Sequence, residues 1–346
     1  MSRRARDYDE SDVRIRPNRR GSRPRTKTRP AHADATPGRV VAVDRGRYTL
    51  LVQGRPVTAM KARELGRKGV VVGDAVAVVG DVSGGPEALA RIVRIEPRRS
   101  VLRRTADDVD PVERVIVANA EQLAIVTALA DPEPRVGMID RCLVAAYDAG
   151  LVPLLVLTKS DLGDPQEFLT AYADLPDIRV VVTGRTDVDE GAGDTPGLAG
   201  LRDLEEHLRG LVTVFVGHSG VGKSTLVNAL VPGADRATGH VNDVTGRGRH
   251  TSTSAIALRL PDDDGWIVDT PGVRSFGLAH VDPGTIITHF ADLEPGTQGC
   301  PRGCSHDEPE CALDDFVASG GAGPAGAARL ASLRRLLRAR AGEARD

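Results

Sequence analysis

Gly217-His218-Ser219-Gly220-Val221-Gly222-Lys223-Ser224 matches G-x-x-x-x-G-K-[ST] and stands between an apolar run, Val212–Val216, and a helical pattern, Lys223–Leu230. Strand, glycine-rich turn and helix in that order are what a phosphate cradle requires. The glycines let backbone amides curl around an anion, and the helix N-terminus adds its dipole. Lys223 is placed to bridge β- and γ-phosphates and the Ser224 hydroxyl to bind Mg²⁺, with Thr225 beside it as a further phosphate contact. Gly217, His218, Ser219, Gly220, Val221 and Gly222 supply the loop itself.

Working outward toward the C-terminus, Asp269-Thr270-Pro271-Gly272 follows the short apolar run Trp266–Val268. An Asp at the end of a buried strand can hold Mg²⁺, and Gly272 offers a bare amide to a γ-phosphate. Between the two motifs lies Gly246-Arg247-Gly248-Arg249-His250-Thr251-Ser252-Thr253, hydroxyl-rich and of switch-loop character. Which of residues 251, 252 and 253 reaches Mg²⁺ is left open by spacing alone; Thr251 is the one carried forward as a nucleotide contact.

Toward the N-terminus, Thr158-Lys159-Ser160-Asp161 ends the apolar run Leu151–Leu157. It fits N/T-K-x-D, whose Asp accepts from guanine N1 and N2 while its Lys lies over the ring. Adenine presents no such donor pair, so an adenine nucleotide would leave the carboxylate unpaired. Thr158 stands where Asn is commoner, and one hydroxyl cannot make both amide bonds.

Alternating strand and helix patterns over 112–279 predict a doubly wound α/β sheet. Ahead of it, five β-branched runs, at Val40–Val43, Tyr48–Val52, Val57–Met60, Ala75–Val79 and Leu89–Ile95, predict a small antiparallel barrel over 38–97. An OB-like barrel is the first choice, an SH3-like one nearly as good. Residues 98–111 read as a polar linker and 280–346 as a metal-binding and helical domain. Residues 1–37 read as a disordered basic arm. Residues 1–30 carry 11 Arg/Lys against four acids, so a chain of net charge -2 has a body of about -9. Such an arm suits a polyanion, or merely solubilises.

Cys300, Cys304, His306 and Cys311 form C-x3-C-x-H-x4-C in a turn-rich segment. Four such donors within twelve positions fit tetrahedral zinc better than disulfides, as a structural site. Cys142, on an apolar helical stripe, reads as core. The tail from Ala325 to Arg340 sets Leu330, Leu333, Leu336 and Leu337 at helical spacing among five arginines. That face either packs or contacts RNA. No apolar run is long enough for a membrane helix, and a cytoplasmic monomer is expected.

The base motif precedes the phosphate loop, the reverse of the usual order. With the barrel before it and the Cys/His cluster after it, the chain resembles the RsgA (YjeQ) family of ribosome-small-subunit-dependent GTPases across roughly 38–340. GHSGVGKSTLVNAL, GRGRHTST, DTPGVRSFGL and CPRGCSHDEPECAL are the most specific stretches. The resemblance implies an OB-fold domain, a circularly permuted GTPase domain and a zinc-binding helical domain. It implies late maturation of the 30S subunit, contact with its 16S rRNA, and GTP hydrolysis stimulated by that particle and coupled to release. It suggests His250 as the group orienting the attacking water, because Val273 occupies the neighbourhood of the usual Gln, and Thr183-Gly184 as support for the guanine ring. The zinc spacing is one residue shorter in its first and last gaps than the family pattern. A GTP-dependent RNA-binding switch and a metal-delivery GTPase are the alternatives.

Overall fold

The computed structural model describes residues 32–66, 69–105, 112–172, 178–186, 197–234, 255–270 and 277–341. Residues 1–31 of the basic arm fall outside them, whereas 36–37, read with the arm, already belong to the first strand; His250, Thr251, Gly272 and the rest of 235–254 and 271–276 also lie outside. Asp34–Asp346 make one unit.

Five strands open that unit: β1 (Thr36–Asp44), β2 (Arg47–Val52), β3 (Arg55–Lys61), β4 (Ala75–Gly80) and β5 (Ala90–Ile95). Their two tight hairpins carry positive φ at both central residues, Arg45-Gly46 and Gln53-Gly54, the twist that two-residue turns between antiparallel strands demand. The strands run in the order β1-β2-β3-β5-β4, and β4 pairs back onto β1. The sheet thus closes into a barrel, with a parallel β3–β5 contact. Closure through that crossed order is the Greek-key pattern of an OB-like barrel and settles the choice against the SH3-like alternative. Alternate residues (Val40, Leu50, Val57, Val78 and Ile92 among them) fill the interior.

The stretch read as a linker is not merely one. Val101–Arg104 forms β6, paired antiparallel with β7 (Arg114–Ala118). Leu102 is buried and anchors the ribbon, while the arginines around it gave the stretch its polar look. Barrel and ribbon meet at Gly73, φ +90, where an added Cβ would fall 1.9 Å from the Ala118 carbonyl oxygen, so only glycine fits.

The second sheet comprises β8 (Gln122–Ala128), β9 (Val152–Thr158), β10 (Arg179–Val182), β13 (Val212–Gly217), β14 (Ile256–Arg259) and β15 (Trp266–Asp269), beside a two-residue pair β11 (Gly184–Arg185) and β12 (Leu198–Ala199). Its order is β10-β9-β8-β13-β15-β14, parallel except for β14. Helices α1 (Val136–Asp148) and α2 (Gln166–Tyr172) cover one face, and α3 (Leu201–Leu208) and α4 (Lys223–Leu230) the other. β8, buried at all seven positions and apolar except for Gln122 and Thr127, reflects burial on both faces. Winding reverses between β8 and β13, and ligands of open α/β sheets bind at such a crevice, outside the carboxyl ends of the strands. Ala42 of β1 pairs with Ile256 of β14, so barrel and sheet are continuous.

Beyond Gly277 the chain packs back onto α1. Leu278, Val281, Phe290 and Leu293 share a core with Ile139, Leu143, and the helices α5 (Ala312–Ala318) and α6 (Gly326–Ala341). Asp140 of α1, 1% exposed, accepts hydrogen bonds from Arg329 at 3.2 Å, Arg335 at 3.4 Å, Tyr172 at 3.3 Å, and the Ser332 hydroxyl. Arg329 also bonds Asp292 and lies over Phe290. Arg334 binds Asp314 and Arg338 binds Asp307. Four of the tail's arginines are therefore engaged in ion pairs that dock α6.

Candidate nucleotide site

The phosphate loop follows β13 and opens α4 as its sequence requires. Gly220 and Gly222 take φ of +86° and +89°, and a Cβ on Gly217 would meet the Val126 carbonyl oxygen at 2.6 Å. These conformations turn the chain sharply enough to aim successive amides into one hollow. His218 and Ser219 lie on the loop's rim, where His218 Nδ1 is 3.0 Å from the Ser219 carbonyl. Ser224 and Thr225, in the first turn of α4, are exposed.

Lys223 is 8% exposed. Its ammonium donates to the Asp269 carboxylate and, at 2.7 Å, to the Thr270 carbonyl. Asp269 reaches it because β15 pairs with β13, setting Asp269 opposite Phe215. The Thr270 hydroxyl donates to the Phe215 carbonyl at 2.7 Å, pinning the second residue of the D-T-P-G motif. Two motifs 46 positions apart thus share one ion pair.

The base motif meets the same hollow from β9, two strands away through β8. The Thr158 hydroxyl lies 2.6 Å from the Val221 carbonyl, which accepts its proton, and 3.2 Å from the Thr127 carbonyl. Thr158 spends its one hydroxyl on the phosphate loop, binding the base-reading strand end to it. Lys159 adopts φ +60, a conformation costing a non-glycine residue about 1–2 kcal/mol. Backbone bonds hold it there, Leu162 N to Lys159 O at 2.9 Å and Ser160 N to Thr183 O at 3.1 Å. Strain kept in place by its surroundings is a mark of functional segments.

Asp161 is exposed, and its Oδ1 accepts from Arg185 N at 2.9 Å. Thr183-Gly184 sits directly behind the motif. A Cβ on Gly184 would fall 2.2 Å from Ser160 Oγ, so glycine is what lets this loop approach. The sequence signal for that pair is poor, because closeness to a neighbouring loop leaves only a glycine as its trace. The chain brings together Thr158, Lys159, Ser160, Asp161, the whole phosphate loop and Asp269. A small cavity of about 20 Å³ lies beside this hollow, on the α1 side of the loop, between Met138, Cys142, Pro132 and Val221. It adjoins the phosphate loop at Gly217, His218 and Val221.

Cys300, Cys304, His306 and Cys311 converge, their donor atoms all within 4.8 Å of one another. Cys300 Sγ is 3.7 Å from His306 Nδ1 and 3.8 Å from Cys311 Sγ, and Cys311 Sγ is 3.9 Å from His306 Nδ1. A tetrahedron with metal–sulfur legs of about 2.3 Å has edges of about 3.8 Å. The donor set is compatible with zinc. The tighter loop is accommodated by Gly303 at φ +81 and His306 at φ +68. Desolvation pushes the Cys304 thiol up to about 12 and holds the His306 imidazole below its usual range. The imidazole is thereby kept neutral, the form that binds a metal.

A family model described as RsgA GTPase matches residues 95–279, more than half of the chain. The chain belongs to the RsgA GTPase family. It is 40% identical over 228 residues to the small ribosomal subunit biogenesis GTPase RsgA 1 of Vibrio vulnificus (strain YJ016), covering 65% of this chain but only 62% of that relative. It is likewise 40% identical over 248 residues to the RsgA of Ectopseudomonas mendocina (strain ymp), covering 71% of this chain and 69% of that one. The crystal structure of YjeQ from Thermotoga maritima superposes with a TM-score of 0.63 at 26% identity, over 87% of this chain and 98% of that one. The structure of YloQ, described as a circularly permuted GTPase, has a TM-score of 0.63 at 21% identity, over 91% and 98%. The RsgA fold, with its base motif ahead of its phosphate loop, is the fold of this chain. No helix among the described residues is long and apolar enough to cross a membrane.

Proposed function

We propose that the chain is a GTP hydrolase acting as a late maturation factor of the 30S ribosomal subunit, its turnover stimulated by that particle and coupled to release. The bond from Thr158 to Val221 supports this reading most, because it ties the strand end read as guanine-recognising to the phosphate loop, as a single nucleotide spanning both would require. Family membership and the names of the relatives supply the ribosomal part.

Asp161 accepts from guanine N1 and N2, and Lys159 lies along the ring. The amides of the phosphate loop surround the β-phosphate. Lys223 leaves Asp269 and turns to the β- and γ-phosphates. Ser224 and Asp269 would hold magnesium, which would supply neutralising charge at the phosphates. Thr251 and the amide of Gly272 answer to the γ-phosphate, and His250 orients the attacking water. Cys300, Cys304, His306 and Cys311 hold a structural zinc. Cys311 is 3% exposed, an enclosure that suits a resident ion better than one delivered elsewhere. The 16S rRNA is the partner surface, the cytoplasm the compartment, and the active form a monomer.

The test is hydrolysis of GTP against ATP, with and without purified small subunits. Turnover selective for GTP and accelerated by the particle is expected. GTP turnover unchanged by small subunits would remove the ribosomal claim.

A further inference from the structure

The loop from β8 to α1, Leu129-Ala130-Asp131-Pro132-Glu133-Pro134-Arg135, belongs to neither recognition motif, yet it is bonded to the base motif and lines one cavity with the phosphate loop. Its first residue is tied to the base-motif strand, Leu129 N donating to Thr158 O at 2.9 Å. Two residues on, the Asp131 main-chain carbonyl accepts a hydrogen bond from the Lys159 ammonium. The next residue, Pro132, stands on the phosphate-loop side, its Cδ 3.6 Å from where a Cβ on Gly220 would fall.

We infer that Asp131-Pro132 is a positioning element of the guanine site, its main-chain carbonyl aiming Lys159. This inference rests on the base-site reading above. A carbonyl suits the task better than a carboxylate would. An ammonium has three donors, and a neutral acceptor engages one while leaving the positive charge and two N–H groups for the nucleotide. Lys159 rides on a four-carbon stem with wide rotamer freedom, so a fixed acceptor reduces the ordering that binding otherwise requires. Because the bond is to main chain, loop geometry rather than side-chain identity carries it, and Pro132 restricts that geometry.

The test uses the full chain and titration with GDP, comparing wild type, Lys159→Met, Pro132→Gly and the double variant. Thermal unfolding checks folding, and Pro132→Ala replaces the glycine variant if that one fails to fold. Lys159→Met is expected to raise the Kd about tenfold or more, and Pro132→Gly about fivefold to tenfold. The double variant is expected to bind no more than about threefold more weakly than Lys159→Met alone, since residues acting through one contact are non-additive. A merely structural role for Pro132 would instead give losses that multiply. Multiplying losses, or a Pro132→Gly variant that binds as wild type while Lys159→Met is impaired, would overturn the inference alone. A neutral Lys159→Met would overturn the base-site reading beneath it.

Discussion

Thr158 and Val221 stand 63 positions apart and are joined by a 2.6 Å hydrogen bond from hydroxyl to carbonyl. Thr158 is 4% exposed, so this contact is made away from water. Replacing Thr158 with valine keeps the shape and removes the donor, leaving the Val221 carbonyl unsatisfied at a cost of about 1–3 kcal/mol. Thr158→Val should therefore weaken GTP and GDP together, by roughly five- to a hundredfold, while Thr158→Ser stays within about threefold. Calorimetric titration of both nucleotides checks it.

The Lys223–Asp269 pair sets a second expectation. The two side chains form an ion pair, and the proposed function assigns Lys223 to the phosphates and Asp269 to magnesium. Asp269→Asn should leave GDP binding without magnesium within a few-fold of wild type. It should raise the magnesium needed for half-maximal GTP hydrolysis and lower turnover about a hundredfold, the scale on which losing a transition-state electrostatic contact acts. Steady-state hydrolysis across a magnesium titration reads both effects.

Asp140 gives a prediction on stability. It lies buried among two guanidiniums, a hydroxyl and a phenol, joining α1 to α6 and α2. Removing one partner of a buried pair leaves an uncompensated charge, at about 3–5 kcal/mol. Asp140→Ala should lower stability by that amount in urea unfolding, and Arg335→Ala by much less, because Arg335 is 40% exposed in its side chain.

Metal removal should be felt beyond the zinc loop. Cys311 and Leu313 share a core with Leu333 and Ile139, so the metal loop and α1 belong to one packing unit. Chelation under denaturing conditions should release one zinc per chain. Cys304→Ser should lower the unfolding midpoint of the whole unit as one cooperative transition. Two separate transitions, with the nucleotide-binding one unshifted, would show that the zinc segment packs independently.

What the sequence revealed follows from which contacts leave a trace in residue type. Phosphate, guanine edge and soft metal each demand particular side chains at fixed spacing, so Gly217–Ser224, Thr158–Asp161 and the Cys/His cluster stood out in the sequence as candidates, and the fold brings the members of each together. Strands buried on both faces announce themselves as apolar runs, as at Val152–Thr158. The ribbon of Val101–Arg104 did not, because one buried leucine among arginines gives no alternation to recognise. The tail arginines showed their charge, but their partners lie far away, Asp140 being 189 positions from Arg329. The Asp131–Lys159 contact was invisible for a different reason, since a main-chain carbonyl has no side-chain signature.

The account depends most on Asp161, and nucleotide selectivity tests it directly. Binding of guanosine, xanthosine and adenosine triphosphates should be measured for wild type and Asp161→Asn. The account predicts that wild type prefers guanosine by at least a hundredfold, and that Asp161→Asn turns the preference to xanthosine, whose 2-oxo group accepts from the new amide. A variant that keeps the guanosine preference, or a wild type that binds adenosine triphosphate equally well, would contradict it.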